Sequence, residues 1–233
     1  MGAPIYFISK MNFKVDYSIS KDKDNYISSI WNFRWHKHGR EKITNKLSSG
    51  LPKDLVLQLI NQKKLKEAEL VVEKFLNSQD DKFLKSIEIL KVGLEKNLNK
   101  QEKNIIETLE TAYVKPVPFI TLKVYITTIP ICPYNFKERW FMVFKNHSKE
   151  KHIQTAIHEL NHFMFYFYYW QLKDKVGSNF FEIIKEALTV LTNPEEAGYP
   201  SEKYLRKYIA ENRNKNIEVI LNEIVENKLY LKT

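Results

Sequence analysis

The segment Ile157-His158-Glu159-Leu160-Asn161-His162 carries the most informative pattern of this chain. It lies within residues 149–172, which we predict to form one helix. Apolar residues flank the segment on both sides, which indicates that this helix is buried. Because residues four apart lie on the same face of a helix, His158 and His162 are predicted to stand one above the other.

Two imidazoles on one helix face can bind a single metal ion through their ring nitrogens. Glu159 lies one position further round, where it can take a proton from a metal-activated water. Zinc suits two imidazoles and a carboxylate, and a fourth position left for water makes such a site catalytic. The alternative interpretation is two core histidines with backbone partners and a surface glutamate.

The segments around the motif predict a small sheet and several helices. Pro116 and Pro118 end a helical pattern, and residues 119–128 and 140–145 (WFMVFK) have the composition of strands. After the motif helix, a loop around Gly177 precedes helices at about 179–192, 201–212 and 216–229.

The first half of the chain is predicted to be mostly helical. Residues 12–19 alternate between apolar and polar side chains, as in a half-buried strand, and residues 22–113 then follow helical periods. We therefore predict an α+β fold that is mainly helical, with residues 1–233 forming a single unit. Residues 1–113 make up a helical half of unknown role, and residues 114–233 carry the motif.

The composition limits the classes of partner. The 233 residues include 37 Lys and Arg against 28 Asp and Glu, a net charge of +9, but the lysines are spread along the whole chain. We therefore expect no nucleic-acid partner. A lone cysteine, Cys132, excludes a disulfide framework and a cysteine-based zinc site. No secretory pattern or membrane span is visible, so we expect a cytoplasmic protein.

The His158-Glu159-x-x-His162 motif resembles that of the zincin metallopeptidases, and in particular the gluzincin branch, in which a glutamate on the following helix is the third ligand. The longer metzincin pattern is absent, because Phe165 stands where its glycine would be and no histidine follows His162. The resemblance covers roughly residues 119–192 and implies a zincin-like catalytic half over 114–233. It also implies that an edge strand just before the motif helix lines the substrate cleft, a place that Trp140–Lys145 would take.

Glu182 and Glu186 are the candidates for the third ligand. If the motif helix extends to about Lys173, the rise per residue brings Glu186 nearer than Glu182 to the level of the histidines on the returning helix. Glu182 also fits a capping box with Asn179. We expect Glu186 to be the ligand, and Glu182 to replace it if the first helix stops near Tyr166.

The resemblance further implies an oxyanion donor downstream of the ligands, for which Tyr199 is the candidate. It implies a zinc metallopeptidase with one zinc ion held by His158, His162 and Glu186. Glu159 would be the general base and a peptide or protein the substrate. The alternative function is a zincin-like binding or structural protein that does not cut.

Overall fold

The computed structural model describes residues 10–35, 43 and 51–232, and this part of the chain forms two compact units. Unit 1 comprises residues 10–12, 99–121 and 153–232. Unit 2 comprises the described residues between 13 and 98 together with residues 122–152. The units are interleaved along the chain, and the proposed boundary at 113/114 lies inside the second segment of unit 1.

The sheet belongs almost entirely to unit 2 and has the strand order β1-β2-β4-β3. Its strands are β1 (Asn12–Asp16), β2 (Thr121–Thr127), β3 (Tyr134–Asn135) and β4 (Trp140–Phe144). β2 and β4 are parallel, whereas β3 and β4 are antiparallel. The first strand is shorter than the predicted 12–19, because the side chain of Ser18 accepts a hydrogen bond from the backbone of Lys21 and starts a helix at Ile19.

The prediction that Trp140–Lys145 forms an edge strand is wrong. β4 is paired on both sides, with β2 through the register Val124↔Phe141 and with β3 through Tyr134↔Phe141. The backbone N–H of Met142 also donates to the carbonyl of Pro133 over 2.9 Å. β4 therefore has no free edge along its first three residues on which a substrate strand could be added.

The helices of unit 2 pack apolar stripes into a common core. They are α1 (Ile19–Tyr26), α2 (Lys53–Asn61), α3 (Leu65–Asn77) and most of α4 (Asp81–Lys100), with a π-helix over Ile27–Asn32 and a 3-10 turn over Phe33–Trp35. Tyr26, Leu59 and Val72 are fully buried in this core.

Asp22 of α1 is also fully buried in unit 2, where it ties the helix to the end of β2. Its carboxylate accepts hydrogen bonds from the hydroxyls of Thr127 and Thr128, each at 2.7 Å, and from the backbone N–H of Thr128. These bonds replace the water that the carboxylate loses on burial.

The helices of unit 1 correspond to the predicted ones, except that the motif helix ends at Tyr169 and an additional short helix, Leu172–Val176, follows it. They are α5 (Glu102–Tyr113), most of α6 (Lys149–Tyr169), α7 (Leu172–Val176), α8 (Ser178–Ala187), α9 (Lys203–Glu211) and α10 (Ile217–Glu226), with 3-10 turns over Leu188–Leu191, Pro200–Glu202 and Leu229–Lys232. The mainly helical α+β class is thus confirmed. None of the described helices combines the length and the apolar character that crossing a membrane requires.

Candidate metal centre

Helix α6 carries the motif in the core of unit 1. Leu160, Phe163 and Met164 are fully buried, and they anchor the helix in that core. The imidazole of His162 is buried and that of His158 is half-buried. The two rings lie next to each other on the helix, with their centroids 4.5 Å apart and their planes at 79° to one another.

The ring nitrogens of the two histidines converge with one carboxylate. The Nε2 atoms of His158 and His162 are 2.9 Å apart. Glu186 of α8 places Oε1 3.4 Å from Nε2 of His162 and Oε2 3.7 Å from Nε2 of His158. Among the described residues, these three form the group of metal-ligating side chains whose donor atoms lie within 4.8 Å of one another.

Glu182, the other candidate ligand, lies in a different set of contacts. Its carboxylate accepts a hydrogen bond from the hydroxyl of Tyr166 at 2.7 Å and one from the ammonium group of Lys185 at 2.7 Å. The capping box with Asn179 does not form, because α8 already begins at Ser178, after Gly177. The carboxylate of Glu182 is therefore hydrogen-bonded to Tyr166 and Lys185, two partners that the sequence pattern did not predict.

Lys185 holds the third carboxylate in place. Its side chain is buried, and its ammonium group lies 3.1 Å from Oε1 of Glu186 and 2.7 Å from Glu182. Burial would lower the pKa of Lys185, but the charges of Glu186 and Glu182 raise it overall. Lys185 is thus cationic, and it leaves Oε2 of Glu186 turned towards His158.

Glu196 is a site residue that sequence reasoning missed. Its Oε2 lies 2.9 Å from Nδ1 of His158, on the opposite edge of the ring from the converging Nε2. A carboxylate in this position favours the tautomer with a proton on Nδ1 and leaves Nε2 as an electron-pair donor, as is common around metal-ligating histidines. Glu196 lies in a loop 38 residues after His158, so no local spacing indicated it.

Asn161, inside the motif, joins α6 to the segment that follows α8. Its fully buried side chain donates to the hydroxyl of Thr192 at 3.0 Å and accepts from the hydroxyl of Tyr113 at 3.0 Å. These bonds fix the distance between the motif helix and the C-terminal end of the helix that carries Glu186.

The protein environment shifts the pKa values of His158, His162 and Glu186 in different directions. Burial would lower the pKa of His158, but Glu196 and the neighbouring carboxylates raise it overall. Burial lowers the pKa of His162 to about 4, so this ring is neutral at pH 7. Burial would raise the pKa of Glu186, but His162 and Lys185 hold it well below its usual range, so the carboxylate is ionised.

Glu159 is buried beside this cluster, and one of its two carboxylate oxygens has no hydrogen-bond partner among the described residues. Only 5% of the residue is exposed, and its Oε2 is one of the buried side-chain atoms in the described part of the chain that lack a hydrogen-bond partner. Burial raises its pKa to about 8. A carboxyl group held in this way has a pKa near working pH, which is the property that a general base needs.

Tyr199 lies at the rim of the same charged region. It is 61% exposed and precedes the 3-10 turn over Pro200–Glu202. Partial burial of the phenol, with the charges of Glu186, Glu202 and Glu196, raises its pKa. The phenol is therefore protonated and within electrostatic reach of the candidate ligand Glu186, while its role as an oxyanion donor stays a prediction.

The donor set fits zinc. Tetrahedral coordination with metal–ligand bonds of about 2.0–2.2 Å requires donor atoms roughly 3.4 Å apart. The distances of 2.9, 3.4 and 3.7 Å between the converging atoms bracket that value. Two nitrogens, one carboxylate and a buried carboxyl nearby also match the chemistry of a catalytic zinc site. Protein-family models, curated proteins and solved structures offer no match to this chain.

Proposed function

We propose that this protein is a zinc-dependent hydrolase, and that its reaction is the hydrolysis of peptide bonds. The observation that carries the proposal is the convergence of Nε2 of His158, Nε2 of His162 and the carboxylate of Glu186 within 4.8 Å. The peptide bond as substrate follows from the resemblance of the motif to the zincin metallopeptidases.

Five side chains would hold the metal ion or orient its ligands. His158, His162 and Glu186 would hold the ion, which supplies Lewis-acid chemistry by lowering the pKa of a water molecule and polarising a carbonyl. Glu196 would orient His158 through Nδ1, and Lys185 would hold Oε1 of Glu186.

Glu159 would move the proton. Its unpartnered Oε2 would accept a proton from the attacking water and later deliver it to the leaving nitrogen of the substrate. A buried carboxyl group with an unsatisfied oxygen has a free energy cost, and a role in proton transfer would account for that cost.

Two measurements on the full chain test the proposal. Elemental analysis of protein purified without a metal-affinity step should find about one zinc per chain, and the absence of any transition metal would overturn the proposal. Activity should then be measured with a library of peptides, comparing Glu159→Gln with Glu150→Gln, which changes an exposed glutamate of the same helix.

Glu159→Gln should keep the zinc and lose activity by several orders of magnitude, because an amide cannot act as a base. Glu150→Gln should keep both. Zinc binding without cleavage of any peptide would favour the non-catalytic zincin-like alternative.

A further inference from the structure

Arg206 of α9 is a buried cation that contacts the backbone of two residues of the candidate metal centre. It is 6% exposed. Its Nη1 donates to the carbonyl of Glu186 at 3.2 Å and to the hydroxyl of Thr189 at 2.6 Å, and its Nη2 donates to the carbonyl of Glu196. We call these contacts the Arg206 clamp.

The two carbonyls belong to two residues whose carboxylates contact the histidines. Glu186 faces both Nε2 atoms, and Glu196 faces Nδ1 of His158. The Arg206 clamp therefore joins the end of the ligand helix to the loop that orients a ligand histidine.

Gly198 shows how closely the loop approaches this guanidinium. It has a φ of +65°, and a Cβ at this position would lie 2.5 Å from Cδ of Arg206 and 2.7 Å from Oε2 of Glu202. Glycine is thus required here both for the left-handed backbone and for the space that Arg206 occupies.

We propose that Arg206 is a positioning residue of the metal centre, which sets the distance between Glu186 and Glu196 and so keeps His158 in its ligating orientation. The proposal rests on the proposed function, because it assigns Arg206 to the same site. Arg206 is not part of the histidine motif and is not a metal ligand. It acts through the backbone carbonyls of Glu186 and Glu196.

Arginine suits this role because its planar group presents donors in fixed directions. One guanidinium reaches three oxygen acceptors on two segments of chain, whereas a lysine offers one nitrogen and cannot span them. The neighbouring carboxylate of Glu202, 4.0 Å from Nη1, partly balances the buried charge.

The test compares zinc affinity, measured by competition with a chelating dye, in the full chain and three variants. Arg206→Lys should bind zinc at least about tenfold more weakly, as is typical when an orienting partner of a ligand is removed. Glu196→Ala should do the same. If both act through His158, the double variant should lose less than the product of the two single losses. An affinity within twofold of the original for Arg206→Lys, or single losses that multiply, would overturn the proposal.

A second pair of variants disturbs the clamp without touching a charged side chain. Gly198→Ala pushes Arg206 aside, whereas Gly177→Ala introduces a Cβ at a similarly positive φ of +79° that meets no atom within 4 Å. We expect a loss of zinc affinity of about tenfold for Gly198→Ala and little change for Gly177→Ala. Equal affinities in the two variants would contradict the role of Arg206.

The metal-free protein provides a readout that does not depend on zinc. The Nδ1 proton of His158, held by Glu196, should give a slowly exchanging, downfield NMR signal. We expect this signal to disappear in Glu196→Ala and Arg206→Lys and to persist in Gly177→Ala. If the original chain binds no metal, the proposed function fails, but this signal still tests the positioning role of Arg206. Persistence of the signal in Arg206→Lys would overturn that role.

Discussion

Replacing Glu159 with glutamine in the metal-free protein should change how its stability depends on pH. Burial gives this carboxyl a pKa of about 8 in the folded chain, against an ordinary value near 4.5. The folded protein therefore holds the proton more tightly than the unfolded chain does, and the free energy of unfolding should fall as the pH rises from about 4.5 to about 8.

The size of the effect follows from the two pKa values. One pKa unit corresponds to about 1.4 kcal/mol, so ionisation of Glu159 should lower the free energy of unfolding by roughly 3–4 kcal/mol between pH 5 and pH 8. A glutamine has no proton to lose, so the Glu159→Gln variant should lack this contribution. The difference in free energy of unfolding between the variant and the original protein should therefore shift in favour of the variant by this amount when the pH is raised from 5 to 8.

The assay is urea unfolding in the presence of a chelator at several pH values. Glu150→Gln is the control, because its side chain lies in solvent on the same helix. Added zinc should flatten the pH dependence of the original protein, since a nearby dication favours the ionised carboxylate. Parallel stability curves for the original protein and Glu159→Gln would refute the view that burial raises the pKa of Glu159.

Two further changes test other parts of the structure. Glu186→Gln should weaken zinc binding far more than Glu182→Gln, although each removes a carboxylate partner of Lys185; chelator competition measures the difference, and equal losses would contradict the choice of ligand. Asp22→Asn should lower the free energy of unfolding by about 1–3 kcal/mol, because the amide nitrogen replaces one of the two oxygens that accept from Thr127 and Thr128 and cannot accept that hydrogen bond. Urea unfolding measures this loss, and a change below about 0.5 kcal/mol would show that the two threonines find other acceptors.

The parts of the site that follow from helical spacing were predictable from the sequence. The placement of His158 and His162 on one helix face depends on their four-residue separation alone. The convergence of Glu186 depends on two antiparallel helices and the rise per residue. The chain between the two ligand-bearing helices differs from the prediction, because α6 ends at Tyr169 and the short helix α7 lies between α6 and α8.

The supporting residues could not be read from the sequence, because their contacts depend on loops and on distant helices. Glu196 reaches His158 from a loop, and Arg206 reaches Glu186 from 20 residues away. The edge-strand prediction failed for a similar reason. β3 contains only Tyr134 and Asn135, too short to produce an alternating pattern, yet it covers the side of β4 that was expected to be open.

The interleaving of the two units decides how the chain can be divided for experiments. A fragment that begins at residue 114 retains the whole motif but lacks Tyr113, a fully buried residue whose hydroxyl donates to both the carbonyl and the side chain of Asn161. Such a fragment would leave the buried side-chain oxygen of Asn161 without the donor that Tyr113 supplies, at a cost of about 1–3 kcal/mol. Loss of activity on removing residues 1–113 would thus reflect damage to the motif helix. The contribution of residues 1–113 to activity is better measured by substituting their solvent-exposed side chains in the intact chain.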